Sequence, residues 1–420
     1  MQTAPAAEDE RDSPSATHER PWLFTFLSAP AAVVAIGLID GALSFLLRRE
    51  GVDPAHGASI VALLSLPHTL YFAWGPVTDF WMRRRTWLMV AAAAAGATML
   101  AAFSRPRLSS PSGVALLFLG ACFGVLAVAA CGGMLGSLQS ELNRRRASSF
   151  YQTGSLVSGA FAVFLLVMLA DRLSLIWLGA IVAAMVVLPS LFALMAPAQT
   201  VADGQGARET FARIWREFKQ TFLHWDAIPY TMLVTAPFCS GAMIGLLPSL
   251  AADYGVTGEQ VAWINGLGGA LLTAAGAFVA SLIPVRVRAP IAFILAGLVN
   301  SATMAVLAIG PQRPAVYLAG TVLFLFSIGA GYSLFTGVVL EFLGDSGKSG
   351  SARYALINSM GNLPVAYMAY LDGRAYAHWG PRAMPAADAV LSFAGAMVLL
   401  GHFVVSRRRK QARATVILRG

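Results

Sequence analysis

Twelve predominantly apolar stretches recur along the chain, each bounded by a short polar or charged segment. They cover about Trp22–Leu47, Ser59–Trp74, Thr86–Phe103, Val114–Leu138, Phe150–Ala170 and Leu175–Ala196, then Tyr230–Leu250, Val261–Ile283, Ile291–Ile309, Val316–Phe342, Tyr354–Tyr370 and Ala389–Val405. A helix rises about 1.5 Å per residue, so roughly 20 apolar residues cross a hydrocarbon core of about 30 Å. The pattern predicts an all-α membrane protein with twelve transmembrane helices. Pro67, Pro76 and Pro364 interrupt the second and eleventh stretches, which is tolerated where a helix lines a cavity. A polar break over 197–226 separates six stretches from six, so the expected domains are bundles at 22–196 and 227–405.

Composition supports this reading and narrows it. The 420 residues are 57% hydrophobic and 12% charged, with mean hydropathy +0.66, whereas soluble domains carry about 25% charged residues. The net charge of +9 is unevenly placed. With twelve crossings, 22 Lys and Arg fall on the side holding both termini and 8 on the other. The positive-inside bias then puts both termini in the cytoplasm of a multi-pass inner-membrane protein. Arg83–Arg85, Arg144–Arg146 and Arg407–Lys410 would meet anionic lipid there, and no nucleic-acid partner is needed to explain the charge. Residues 1–21 read as a disordered cytoplasmic tail and 406–420 as a basic one. Within 197–226, Phe211, Trp215, Phe218, Phe222 and Trp225 repeat at helical spacing opposite a charged face, which predicts an amphipathic helix lying in the interface. Cys122, Cys131 and Cys239 lack metal or disulfide spacing and read as packing residues.

The halves compare at an offset of about 200 residues. Tyr151, Ser155 and Gly159 match Tyr354, Asn358 and Asn362 at i, i+4, i+8, which places each set on one helix face. Glu141 is read as ending the fourth span and Glu341 as ending the tenth, so the two bundles are expected to be pseudo-symmetric. Gly75, Asp79 and Arg83, Arg84 and Arg85 form a G-x-x-x-D-x-x-x-R-R-R string between the second and third spans. Its placement resembles the signature loop of the major facilitator superfamily, in which glycine permits close helix approach and the charges latch the cytoplasmic side. The stretch LPHTLYFAWGPVTDFWMRRRTWLM is similar to the corresponding region of AmpG-like permeases, the muropeptide and acetyl-CoA transporter group. SARYALINSMGNLPVAY resembles that group's eleventh span. Tyr71 stands where the group commonly has a lysine, Phe80 follows Asp79 where a basic residue is usual, and relatives within the group carry siderophores. The resemblance implies import toward the cytoplasm of a muropeptide-like or siderophore-like solute.

Candidate chemistry lies in the polar residues within apolar spans. An acid at mid-bilayer costs about 2.5–3.5 kcal/mol on insertion scales, so Asp40 is expected to face a cavity as a proton-coupling or substrate-binding group, or else to pair with Arg48 or Arg49 near the interface. His68 titrates in a physiological range when unperturbed. With Tyr71, Tyr151, Ser155, Asn265, Tyr332, Asn358 and Asn362 it completes the expected substrate or proton site; these polar groups equally suit interhelical bonding. Gly75, Asp79, Arg83, Arg84, Arg85, Glu141 and Glu341 are the expected gating residues. GDSGKSGS lacks the glycine and preceding strand of a phosphate loop. The sequence has no HExxH or GxSxG motif and no intramembrane metal-ligand cluster, so an enzyme is not expected and no cofactor or metal is assigned. The expected function is a monomeric, proton-coupled secondary transporter working by alternating access. An exporter of small amphipathic compounds and a non-transporting sensor are the alternatives.

Overall fold

The computed structural model describes residues 19–74, 77–78, 82–136, 138, 141–196, 207–284, 287–343 and 350–417. Among the described residues there are helices and turns and no strand. In order these are α1 (Pro21–Arg49), α2 (Pro54–Thr69), α3 (Tyr71–Trp74), α4 (Arg84–Phe103), α5 (Pro111–Gly136), α6 (Glu141–Leu169), α7 (Leu175–Ser190) and α8 (Ala207–Phe222). The second half continues with α9 (Ile228–Val234), α10 (Ala242–Leu250), α11 (Gly258–Ala280), α12 (Ala289–Ile309), α13 (Pro314–Leu343), α14 (Gly350–Gly361), α15 (Leu363–Trp379) and α16 (Ala383–Ile417). Nine helices among the described residues are long and apolar enough to cross a membrane.

The other three expected crossings fall on interrupted pairs: α2 with α3, α9 with α10, and α14 with α15. The first and last breaks lie in the two proline-interrupted stretches, at Leu70 and at Asn362. The break over 235–241 is not anticipated from the apolar stretch Tyr230–Leu250 that contains it. Pro237 lies within it, Cys239 takes φ 54° and Gly241 φ 82°. Positive φ is costly for a residue with a side chain, so the unwinding at Cys239 is held by its surroundings.

Several boundaries differ from the sequence reading. Helix α15 runs to Trp379 and α16 starts at Ala383, so Asp372 and Asp388 lie inside helices rather than in a loop. Charged residues mark loops only when they face water, and these two do not. Glu141 opens α6 instead of closing the fourth span, which ends with α5 at Gly136. Helix α16 continues through Arg407–Lys410 to Ile417, where a separate tail was expected. Residues 1–18, DGQG and GDSGKS, for which the sequence predicts a tail and flexible connections, lie outside the described residues.

The outer surface is apolar. Trp177 is 65% exposed and Leu271 74%, an arrangement that suits lipid and would be unfavourable in water. Helix α4 packs on α5 and α7 in the first half; α12 packs on α13 and α16 in the second. The halves meet where α1 faces α10, α2 faces α15, and α6 faces α11. Helix α1 is the most enclosed of the nine, with 72% of its apolar window buried against 28% for α11. Its closest crossing is with α6. A Cβ on Gly37 would lie 2.5 Å from that of Ala162, and one on Gly41 would collide with Val163, so small residues set this interhelical distance.

At the end of the bundles away from the termini the halves are closed. Arg48 Nη2 donates to Asp253 Oδ1 at 3.0 Å, and the Tyr376 hydroxyl donates to Asp253 Oδ2 at 3.3 Å. Gly373 of α15 packs on Ala55 and Ala58 of α2. Nearer the termini, the Phe72 amide donates to Ser359 Oγ at 3.0 Å. Helix α8 lies here, with Phe218 over Phe72 and Phe222 against Phe342, while Trp215 and Trp225 stay exposed.

Candidate functional site

Helix α1 departs from α-helical geometry over Val33–Ala42, where it takes wider turns. The Leu43 amide closing that segment donates to Leu38 O, five residues back. Such turns are frequent at functional sites, and Asp40 sits within this one. The distortion is supported by the α6 crossing on one side. On the other is α10, where a Cβ on Gly245 would lie 3.3 Å from the Asp40 carbonyl oxygen.

Asp40 faces a cavity of about 250 Å³. Its walls are Ala31, Ala32, Ala35 and Ile36 of α1, Ser65 and His68 of α2, Val128 of α5, Tyr151 and Ser155 of α6, and Asn362 and Val365 at the α14–α15 break. Five of the residues singled out in the sequence, Asp40, His68, Tyr151, Ser155 and Asn362, therefore share one space. Asn362 Nδ2 donates to the His68 carbonyl at 3.3 Å, so the α14–α15 break is bonded to α2 across the halves. Tyr151 and Ser155 interact through their hydroxyls. Asp40 forms no ion pair among the described residues: Arg48 is engaged by Asp253, and Arg49 by Asp171 at 3.0 Å. The alternative in which Asp40 pairs with either arginine is thus not what is found: Arg48 reaches across the far-end closure to Asp253, and Arg49 pairs with Asp171 within the first half. The site offers one carboxyl, several hydroxyl and amide groups, and apolar walls. It can orient a small solute through hydrogen bonds and exchange a proton with it.

The remaining candidates lie elsewhere. Tyr71 points toward α5, its hydroxyl 3.5 Å from where a Gly132 Cβ would be. Tyr332 lies over Gly241 at the α9–α10 break, within electrostatic reach of Asp40. Asn358 is half-buried on α14 and does not line the cavity. Asn265 belongs to a second wide-turned segment, Ala262–Leu267 in α11, and its Oδ1 accepts from the Tyr317 hydroxyl at 3.4 Å. That is the interhelical bonding role rather than a place in this cavity.

Of the residues expected to gate, Gly75 and Asp79 fall outside the described residues, and for Glu141 only the backbone is described. Arg84 Nη1 donates to Gly133 O at 2.6 Å and Arg85 Nη1 to Ala196 O at 3.5 Å, while Arg83 is exposed. Both bonds tie the start of α4 to the first bundle. Glu341 accepts from the Tyr230 hydroxyl at 2.7 Å and is ion-paired with Arg288. Hydrogen bonding to Glu341 raises the Arg288 guanidinium above its usual range, which keeps this pair charged. Sequence reading missed Arg288 and Tyr230. The available signal was symmetry, since Arg288 precedes α12 as Arg83 precedes α4. Among the described residues no group of three His, Cys, Asp or Glu side chains is placed to hold a metal ion.

Several solved structures share this shape at low sequence identity. The crystal structure of the nucleoside transporter NupG aligns with TM-score 0.68 and 13% identity over 91% of this chain and 98% of that one. That of a D-xylose-proton symporter aligns with TM-score 0.67 and 14% identity over 91% and 96%. A POT family transporter in complex with a thioalcohol conjugated peptide gives TM-score 0.71 and 9% identity over 92% and 96%. No curated protein sequence matches the chain. Residues 22–369, well over half of the chain, match the family model described as Major Facilitator Superfamily. On the strength of that match and the all-helical fold, the chain belongs to the Major Facilitator Superfamily, a family of membrane transporters rather than enzymes.

Proposed function

We propose that the protein is a proton-coupled secondary transporter that imports a small solute by alternating access, with both termini in the cytoplasm of the inner membrane. The observation that carries this reading is Asp40: a carboxyl without an ion pair, inside a membrane helix, facing a cavity that both halves line. An acid so placed either binds a proton or binds solute, and proton exchange with bulk water through an opened cavity couples the two. Arg288, Glu341, Arg84 and Arg85 hold the cytoplasmic ends of the helices, while Arg48 and Asp253 close the opposite end. Two structural relatives, a D-xylose-proton symporter and a POT family transporter in complex with a conjugated peptide, support a small solute as partner, and the first supports a proton beside it.

The solute class rests on the AmpG-like resemblance of residues 66–89 and 351–367, which favours a muropeptide-like or siderophore-like cargo. One observation favours a second reading, export of small amphipathic compounds. The cavity is only about 250 Å³ and much of its wall is Ala, Ile and Val. Uptake into proteoliposomes of an anhydro-muropeptide, a siderophore and an amphipathic dye, each under proton gradients of both signs, separates them. Accumulation of either of the first two with an inward gradient supports import. Movement of the dye alone against the gradient replaces it with export, and no movement of any cargo by folded protein removes proton coupling.

A further inference from the structure

Two acids unused by the transport cycle outlined above are more deeply buried than Asp40. Asp372 on α15 is 0% exposed and Asp388 on α16 is 3% exposed. The two helices pack on one another, and the carboxyls are close enough to interact electrostatically. Among the described residues neither oxygen of Asp372 has a hydrogen-bond partner, nor has Oδ1 of Asp388. Ser392, one turn along α16 from Asp388, is also fully buried with its hydroxyl unpartnered.

Among the described residues the surroundings supply no counter-charge. Cys239 of the α9–α10 break and Tyr367 of α15 are the titratable groups that interact with Asp388. Tyr367 donates its hydroxyl to Thr235 O at 2.8 Å, where α9 unwinds. From α2, the atoms that meet α15 beside Asp372 belong to Ala55 and Ala58. Arg374, His378 and Arg382 are exposed. Two ionised carboxylates facing each other away from water do not both keep an uncompensated charge.

We propose that Asp372 and Asp388 form a second site, in the C-terminal half, that holds one small hard monovalent cation, sodium or the proton, between α15 and α16 beside the break in the seventh crossing. Carboxylate and hydroxyl oxygens suit hard cations, and unwound helix segments supply carbonyl oxygens to such ions. Calcium takes roughly six to eight oxygen ligands, more than these residues provide. One positive charge between the carboxyls leaves a single shared negative charge, as in dyads that share a proton. The site is separate from Asp40 and independent of which solute is carried. It adjoins the far-end closure, because Tyr376, one turn from Asp372, bonds Asp253.

The test uses the full chain in detergent micelles, as wild type, Asp372→Asn, Asp388→Asn and Asp40→Asn. It measures radioactive sodium binding, thermal unfolding in sodium against choline, and the infrared absorption of protonated carboxyls at neutral pH. For sodium, the expected result is specific binding and stabilisation, weakened at least tenfold in both Asp372→Asn and Asp388→Asn and retained in Asp40→Asn. For the proton, sodium has no effect, and a protonated-carboxyl band of the wild type is missing from both of those variants and retained in Asp40→Asn. Wild-type behaviour in either Asp372→Asn or Asp388→Asn overturns the site, as does absence of both signals from the wild type. If an Asn variant fails to fold, Ser392→Ala and Asp388→Glu replace it, and each must weaken sodium binding or move the carboxyl band; an unchanged result in either overturns the proposal.

Discussion

At the scale of single residues, the molecule concentrates its chemistry where a side chain conflicts with its surroundings. Asp40 is the clearest instance in the proposed solute site. Asp40→Asn is expected to abolish proton-driven accumulation while leaving exchange of labelled for unlabelled solute across the membrane near wild type; a mutant that still accumulates solute against its gradient would remove Asp40 from coupling. Gly241 shows the backbone counterpart. Its φ of 82° disfavours any side chain, and a Cβ there would collide with the Tyr332 hydroxyl. Gly241→Ala is expected to cost at least about 1–3 kcal/mol, from backbone strain alone, read as a lowered midpoint of thermal unfolding in micelles. Tyr332→Phe in the same background should recover part of that loss, since it removes the colliding atom.

At the scale of elements, apolar runs and prolines revealed most of the helices, because lipid leaves a spanning backbone few alternatives. The break at 235–241 escapes a reading by hydropathy because it sits inside an apolar stretch; Pro237 and Gly241 are its sequence signals, and the positive φ values at Cys239 and Gly241 show it. Asp372 and Asp388 were read as loop for the opposite reason, since a sequence shows charge but not what covers it. The cavity was half legible. Asp40, His68, Tyr151, Ser155 and Asn362 stood out as polar residues on apolar helices, whereas Asn265, identical in that respect, bonds its neighbour Tyr317. Rotation of a helix decides between those fates, and wide turns make rotation hard to infer from spacing. Between α12 and α13, Asn300 donates to Ser327 at 2.9 Å within the buried interior. Interhelical hydrogen bonds in membranes average about 0.6 kcal/mol, with a maximum near 1.7. Asn300→Ala should therefore destabilise by about that range, as measured by reversible unfolding in mixed micelles, and a double-mutant cycle with Ser327→Ala isolates the bond.

At the scale of the whole molecule, two closures hold the halves, and alternating access requires one of them to release. The far-end closure rests on the Arg48, Asp253 and Tyr376 cluster. Arg48→Ala is expected to shift the population toward a form open at that end. A cysteine at Ala58, fully buried against Gly373 here, should then react with an impermeant maleimide several-fold faster in a background lacking the native cysteines. An unchanged labelling rate would show that packing, not the ion pair, keeps that end shut. The enclosure of α1 has a further consequence, for how the chain is assembled. Helix α1 precedes its partners of the second half in the chain: Asp253, which pairs with Arg48 and follows α10, lies about 200 residues downstream. At roughly 5–20 residues per second of synthesis, Asp40 spends on the order of 10–40 s before α10 exists, although α6 arrives sooner. For that interval the first half alone must shelter the acid.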